Sequence, residues 1–426
     1  MIETQVCVIG AGPGGCTTAI ALAQKGIPCV LVDKSVFPRH KACGEVITSN
    51  CIRELAELDR DILTDLENAL FKYNIKGNLF VAPNNYQFGV AYKSPANERL
   101  GLPHCYTATR HDFDNFLLNA VKTRYPSVKV IEGCHLADFE VTDDFAILRD
   151  KKGEYTIKSK LVIFANGAGN KLTKKANGAK VRKSHEAIGL RAYFKNVLPH
   201  PQEKMAEFYF FEKKYMPFGL YITPLQNGVV NVNTWVRKDF VDKKSLNIRT
   251  LMMDFLKTNP NIKERFENAE MIGKTQGSSL ELGSRWWKMS GNRFLQVGDA
   301  AGLIDATNAN GIGHAMISGR IAADFAQKSI EANDFSAKVL QSYDKEMQKR
   351  MKNALKLSRM IAPFSRMPYY SNFSAWLMNY WIKRSANSQL IIKLMYSKNT
   401  TKDLINPSFY YKLFFTKSAK KTNPHD

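Results

Sequence analysis

Gln5-Val-Cys-Val-Ile9-Gly10-Ala-Gly12-Pro13-Gly14-Gly15 is the stretch that decides the fold. Gln5 to Ile9 is β-branched and apolar, the pattern of a buried strand. The Gly-rich turn leads into a helix expected from about Gly14 to Lys25, closed by Gly26 with Pro28 beyond it. Val30 to Val32 reads as the next strand. Together they make a βαβ unit of about 30 residues, the size a dinucleotide fold needs. Each glycine of Gly10-x-Gly12-x-x-Gly15 has a physical task. Gly10 permits the tight turn, Gly12 lets a pyrophosphate approach the backbone, and Gly15 lets helix and strand pack closely. The helix start then offers free N–H groups and a partial positive charge to phosphates.

A Gly-x-Gly-x-x-Gly alone is a weak signal. Here it stands between strand and helix and has an acidic partner, which is the context that gives it meaning. Asp33, with Lys34 beside it, follows Gly15 by 18 residues at the end of the second strand. There its carboxylate can accept hydrogen bonds from both hydroxyls of an adenosine ribose. An acid at this point favours an unphosphorylated ribose, hence FAD or NAD rather than NADP.

The 426 residues leave room for two to three domains at about 150 residues each. With 44% hydrophobic and 23% charged residues, the chain is globular rather than disordered. Sixty-one Lys and Arg against 39 Asp and Glu give +22, which calls for an anionic neighbour. The charge is uneven: Met347 to Asp426 holds 15 basic and 2 acidic residues, or +13, and 13 of the 47 aromatics. Seven cysteines (7, 16, 29, 43, 51, 105 and 134) lie in the first third, an odd number with no C-x-x-C pair. Neither a metal site nor a disulfide framework is expected. The N-terminus lacks the positive charge of a secretory signal, and no run of 18 apolar residues occurs. The expected setting is reducing and cytoplasmic.

Further along, His111 to Arg124 reads as an amphipathic helix, and Val128 to Glu132, Ala137 to Val141, Tyr155 to Ile157 and Leu161 to Ala165 read as strands. Residues 186 to 236 alternate apolar and polar, which suggests a separate antiparallel sheet. Phe294 to Val297 is another buried strand, and from about Gly311 the chain is mostly helical. The expected architecture is α/β. A Rossmann-like FAD-binding domain is assembled from 1–75, 100–175 and 275–345, a substrate domain from 76–99 and 176–274, and a basic helical region from 346–426.

Four further segments carry a resemblance. They are Phe37-Pro-Arg39-His-Lys-Ala-Cys43-Gly44-Glu45, Thr109-Arg110-His-Asp-Phe-Asp114, Leu161 to Asn170, and Gly298-Asp299-Ala-Ala-Gly302 with Gly311-Ile312-Gly313. In this order they resemble the flavoprotein family that holds geranylgeranyl reductases, hydroxylases of the p-hydroxybenzoate hydroxylase type and flavin-dependent halogenases. The resemblance implies FAD. It implies that Asp299 hydrogen-bonds the ribityl chain and that Arg39 and Arg110 meet phosphate or ribose oxygens. It also implies that the helix opened by Gly311, Ile312 and Gly313 faces the N1/O2 edge of the flavin, where a helix N-terminus stabilises the negative charge of the reduced ring. The family has Asp-Gly where this chain has Asn166-Gly167, which keeps hydrogen bonding but not the charge. The electron donor is therefore open between NAD(P)H and a reduced carrier protein.

Cys43-Gly44-Glu45 resembles the Cys-Gly-Gly/Glu signature of the reductase branch. Halogenases show Gly-Glu-Ser there, and their Trp-x-Trp-x-Ile-Pro is absent. The reductases' Tyr-x-Trp-x-Phe-Pro has only a degenerate counterpart, Phe218 to Pro224. Cys43 and Glu45 are the catalytic candidates, with a buried thiol and a solvated carboxylate as the alternatives. His314 is expected to be a packed or capping residue. The aromatic and basic residues of 360–396 suit an anionic membrane surface, or a solvated helical face. No nucleic-acid motif is present. The reading is an FAD-dependent reductase of C=C bonds in an apolar or lipid-linked isoprenoid or polyene. The alternatives are a monooxygenase acting on an aromatic ring and an FAD-containing membrane-surface protein without turnover.

Overall fold

The computed structural model describes residues 1–364 apart from 82–86, 179–182, 202–203, 211–218, 284–285, 287 and 306–309. Phe218, and the basic and aromatic residues expected at a membrane from Arg366 to Tyr396, lie outside the described residues. Among the described residues two large sheets organise the chain. The first places strand Ile2–Ile9 between Cys29–Val32 and Thr156–Phe164, all parallel. Val128–Ile131 extends it on one side and Phe294–Gln296 on the other, also in parallel. Helices Pro13–Gln24 and Ile312–Glu331 pack on one face over the largest core cluster. This is the Rossmann-like half.

Helix Pro13–Gln24 ends as its sequence dictates. Gly26 takes φ +69°, and its N–H and that of Ile27 close on the carbonyls of Ala23 and Leu22. One expectation changes. Tyr155 to Ile157 and Leu161 to Ala165 are a single strand, Thr156–Phe164. Its first half alternates because it pairs antiparallel with Ala146–Asp150 near the sheet's end, and its second half is buried throughout between parallel neighbours.

The second sheet runs Glu270–Glu281, Glu186–Lys195, Val230–Arg237, Gly219–Pro224, Met205–Phe210, Gly77–Val81 and Gln87–Ala91. It is antiparallel except where Met205–Phe210 lies parallel to Gly77–Val81, a strand that crosses over from the first half of the chain. One face packs Ala192, Phe194, Val232 and Val236 against helix Ile248–Thr258. Strand period then puts Arg191, Tyr193, Asn231 and Asn233 on the opposite face.

Two expected boundaries move. The strand Glu270–Glu281 pairs with Glu186–Lys195, so residue 275 is interior to the second sheet. Residue 346 is interior to helix Ala337–Phe364, whose Tyr343, Met347, Met351 and Leu355 are buried in the main core. A cut at 346 would remove core side chains. No helix among the described residues is long and apolar enough to cross a membrane.

Candidate FAD site and the carboxylate beside it

The turn Gly10–Gly15 sits at the C-terminal edge of the first sheet. A Cβ on Gly10 would lie 2.5 Å from the Ala165 carbonyl oxygen, and one on Gly15 would lie 1.7 Å from that of Gly10. These two positions exclude side chains for packing reasons. Gly12 is different: its missing Cβ looks into a space bounded by Arg39 Nη2 at 3.5 Å and Arg110 Nη2 at 3.9 Å. Gly14 faces Ala315 and Val297 instead, so it serves helix-to-helix packing rather than the cleft. Pro13 is the first helical residue.

Asp114 organises the two guanidiniums. It is fully buried, accepts from Arg110 Nε at 2.6 Å and Nη2 at 2.7 Å, and lies 2.8 Å from Arg39 Nη1. Burial pushes its carboxyl up, but Arg110 first and then Arg39 and Lys41 outweigh that and hold it below the usual carboxylate range. Arg39 Nη1 is buried and makes no hydrogen bond of its own despite that ion pair. A phosphate in the space before Gly12 would meet the Nη2 atoms of Arg39 and Arg110 instead.

Asp33 is buried at the end of its strand, with Oδ2 accepting from Ala11 N at 2.7 Å and Oδ1 from Ser35 N at 2.8 Å. Each oxygen keeps a second lone pair for a ribose hydroxyl. Lys34 is exposed beside it. Asn166 abuts the Gly10 turn, its Oδ1 bonded to Thr173 and its Nδ2 buried without a partner. Asp299 Oδ2 pairs with Lys41 at 3.1 Å, and a Cβ on Gly311 would come within 3.2 Å of Asp299 Oδ1. A Cβ on Gly167 would sit 3.9 Å from the same Lys41 Nζ. Ile312 and Gly313 open helix Ile312–Glu331, with Asn50 filling the space beside Gly313. His314 is buried and bonded to the Leu303 carbonyl, a packed residue as expected. Lys41 and Asp114 are the site residues the sequence reading did not single out, although both lie inside motif segments it quoted.

Beyond Arg110 lies Cys43-Gly44-Glu45, pressed against the polar face of the second sheet. A Cβ on Gly44 would stand 3.6 Å from Asn233 and 3.9 Å from Tyr221. Glu45 is 1% exposed and takes φ +63°, a left-handed conformation that costs a non-glycine residue about 1–3 kcal/mol. Its Oε1 accepts from the Tyr193 hydroxyl and from Arg110 N at 3.2 Å, and its Oε2 from Asn231 Nδ2 at 3.0 Å. Burial pushes its carboxyl up to about 7, against the pull of the Tyr193 hydrogen bond, Arg191 and Arg110. Cys43 is half-buried and accepts from Glu45 N at 3.4 Å. The other six cysteines are buried and all seven are free. Among the described residues no group of His, Cys, Asp or Glu is placed to hold a metal ion.

Residues 3–358 match the FAD binding domain family. The chain belongs to that family. Its cofactor is FAD, and the observed cradle fits it: an open glycine with two guanidiniums beside it, a helix N-terminus and a buried acid at the end of the second strand. The chain is similar to the digeranylgeranylglycerophospholipid reductases of Methanococcus vannielii (28% identical, 80% of each chain) and Methanocaldococcus jannaschii (28%, 81% of this chain and 82% of that one). It is also similar to a pyrrole-carbonyl carrier-protein brominase of Pseudoalteromonas luteoviolacea (26%, 78% and 79%). Its fold is that of a geranylgeranyl bacteriochlorophyll reductase-like protein from Thermoplasma acidophilum. That structure superposes with a TM-score of 0.75 at 19% identity, over 95% of this chain and 99% of that one.

Proposed function

We propose that this flavoprotein is a reductase that adds hydrogen across C=C bonds of an apolar isoprenoid or polyene chain, free or lipid-linked. The observation that carries the reading is Glu45. A carboxyl with a proton affinity near neutrality stands where the flavin half meets the second sheet, and alkene reduction needs a proton beside the hydride equivalent. Reductases of an isoprenoid lipid matching four-fifths of both lengths support it. Bound and reduced, FAD supplies hydride to one carbon of the double bond. The chain's own residues do the rest. Gly12, Arg39 and Arg110 hold the pyrophosphate, Asp33 the ribose and Asp299 the ribityl chain, while Glu45 and Cys43 bound the reacting end.

The test is anaerobic. Dithionite-reduced protein mixed with geranylgeranyl substrates should reoxidise, with one double bond lost per flavin by mass spectrometry. Reoxidation only in air, through a substrate-dependent hydroperoxide absorbance, would replace this reading with the monooxygenase one. No reoxidation under either condition would leave a binding protein. Repeating turnover with NAD(P)H and with a reduced carrier protein separates the two donors.

The partner at the basic end is inferred to be an anionic membrane face on the cytoplasmic side, with no role for nucleic acid. Residues beyond Met347 carry +13, and each basic residue near an anionic surface contributes about 1 kcal/mol. Full-length protein should sediment with anionic vesicles at low salt and be released at high salt, and a chain ending at 364 should stay in the supernatant. Full-length protein that ignores anionic vesicles would leave a solvated basic face.

A further inference from the structure

We propose that Tyr193 is the residue that delivers the proton to the substrate, resupplied by Glu45 and supported by Arg191, whose guanidinium lies over its ring. This rests on the reductase reading above. Glu45 is locked by three donors and sealed from solvent, so it cannot touch a substrate itself. Tyr193 bonds to it and keeps part of its surface open, on the sheet face that meets Cys43 and Gly44. A phenol can accept one proton while donating another.

The step balances. One alkene carbon takes hydride from reduced FAD, which is oxidised by two electrons. The other carbon takes the Tyr193 proton, and the O–H electron pair stays on the phenolate oxygen. Protonated Glu45 returns a proton to that oxygen and, being sealed itself, is recharged from water through half-buried Tyr193 before the next turnover.

Burial, and then the Glu45 carboxylate, push the Tyr193 phenol above its usual range, and Arg191 is the group that pulls against them. Its Cζ lies 3.7 Å from the Tyr193 ring centroid. It is 2% exposed, hydrogen-bonds Gln276 Oε1 at 2.7 Å through Nη2, leaves Nε without a partner, and forms no ion pair with a carboxylate among the described residues. A buried cation of this kind, stacked on a phenol, favours negative charge on that phenol. The charged and titratable groups around the pair are Arg110 and Arg191 facing Glu45, Glu45, Arg191 and Cys43 facing Tyr193, and Glu45 and His40 facing Arg191. With Tyr193 or Arg191 removed, Glu45 loses a group that favours its charged form.

The experiment has two readouts on FAD-loaded, full-length protein. In anaerobic single turnover with a geranylgeranyl substrate, Tyr193→Phe should keep FAD and the ring stack yet slow flavin reoxidation by about 100-fold or more. Infrared titration, with the Glu45 band identified by its loss in Glu45→Gln, needs no substrate. The wild-type midpoint should lie near 7 and move upward in Tyr193→Phe and Arg191→Met, and Arg191→Lys should restore it. Wild-type reoxidation rates in Tyr193→Phe, or a midpoint unmoved in both variants, would overturn the relay. If wild-type protein oxidises with no isoprenoid while the midpoints shift, the coupling stands but the reductase reading and the proton-donor role both fall.

Discussion

Asp114 and Glu45 are two carboxylates buried alike, one between the guanidiniums of the flavin half and one against the second sheet, and they are shifted in opposite directions. Asp114 faces two guanidiniums within ion-pair distance, and its charge is held. Glu45 has a phenol, an amide and a backbone N–H as its direct partners, with its cations further away, and burial raises its proton affinity. Burial alone therefore decides nothing, because the number of direct cations decides the sign. The cradle is built to keep fixed charge around phosphates. The triplet is built to hold a proton that can leave.

The largest test of that contrast removes the cradle's opening. Gly12→Val fills the space before Arg39 and Arg110, and folded protein should emerge colourless. A folded variant with stoichiometric FAD would break the assignment of this space to the pyrophosphate. Asp114→Asn leaves the buried Arg110 and half-buried Arg39 guanidiniums without their anion and should cost about 3–5 kcal/mol in chemical denaturation. Its deficit should be full near neutral pH and shrink in acid, because the depressed Asp114 carboxyl contributes stability above its ordinary range and loses it as pH falls. Asp33→Ala should weaken FAD by about 1.5–3 kcal/mol in a cofactor titration while leaving FMN, which has no adenosine ribose, unaffected. Equal weakening of both would move Asp33 off the ribose.

The smallest effect has the opposite sign. Glu45 binds its proton more tightly folded, so its contribution is fully present below about 4.5 and lost as pH rises through about 7. Relative to Glu45→Gln, wild-type protein should lose stability across that window and then level off. Parallel pH–stability curves for the two proteins would erase the distinction between the carboxylates.

The flavin half was legible because its signals are local. Gly10, Gly12 and Gly15 are fixed by a turn and one helix start, and Asp33 by the length of one βαβ unit. The alternation of Arg191-x-Tyr193 and Asn231-x-Asn233 was also readable as a sheet with one polar face. What that face meets was not readable. The 346 boundary failed for a similar reason: charge composition changes near there, but Met347, Met351 and Leu355 continue the apolar stripe of helix Ala337–Phe364 into the core.

By itself, then, the sequence determined a dinucleotide fold with a phosphate-binding turn, an acid for the ribose and a flavoprotein's order of motifs, since each depends on spacings of a few residues to about thirty. Only the tertiary structure decided that Glu45 would be sealed between Arg110 and the second sheet. Its partners Tyr193 and Asn231 lie 148 and 186 residues away along the chain. A carboxyl's proton affinity is set by the groups within a few ångströms of it, and those groups become neighbours only when the two sheets pack.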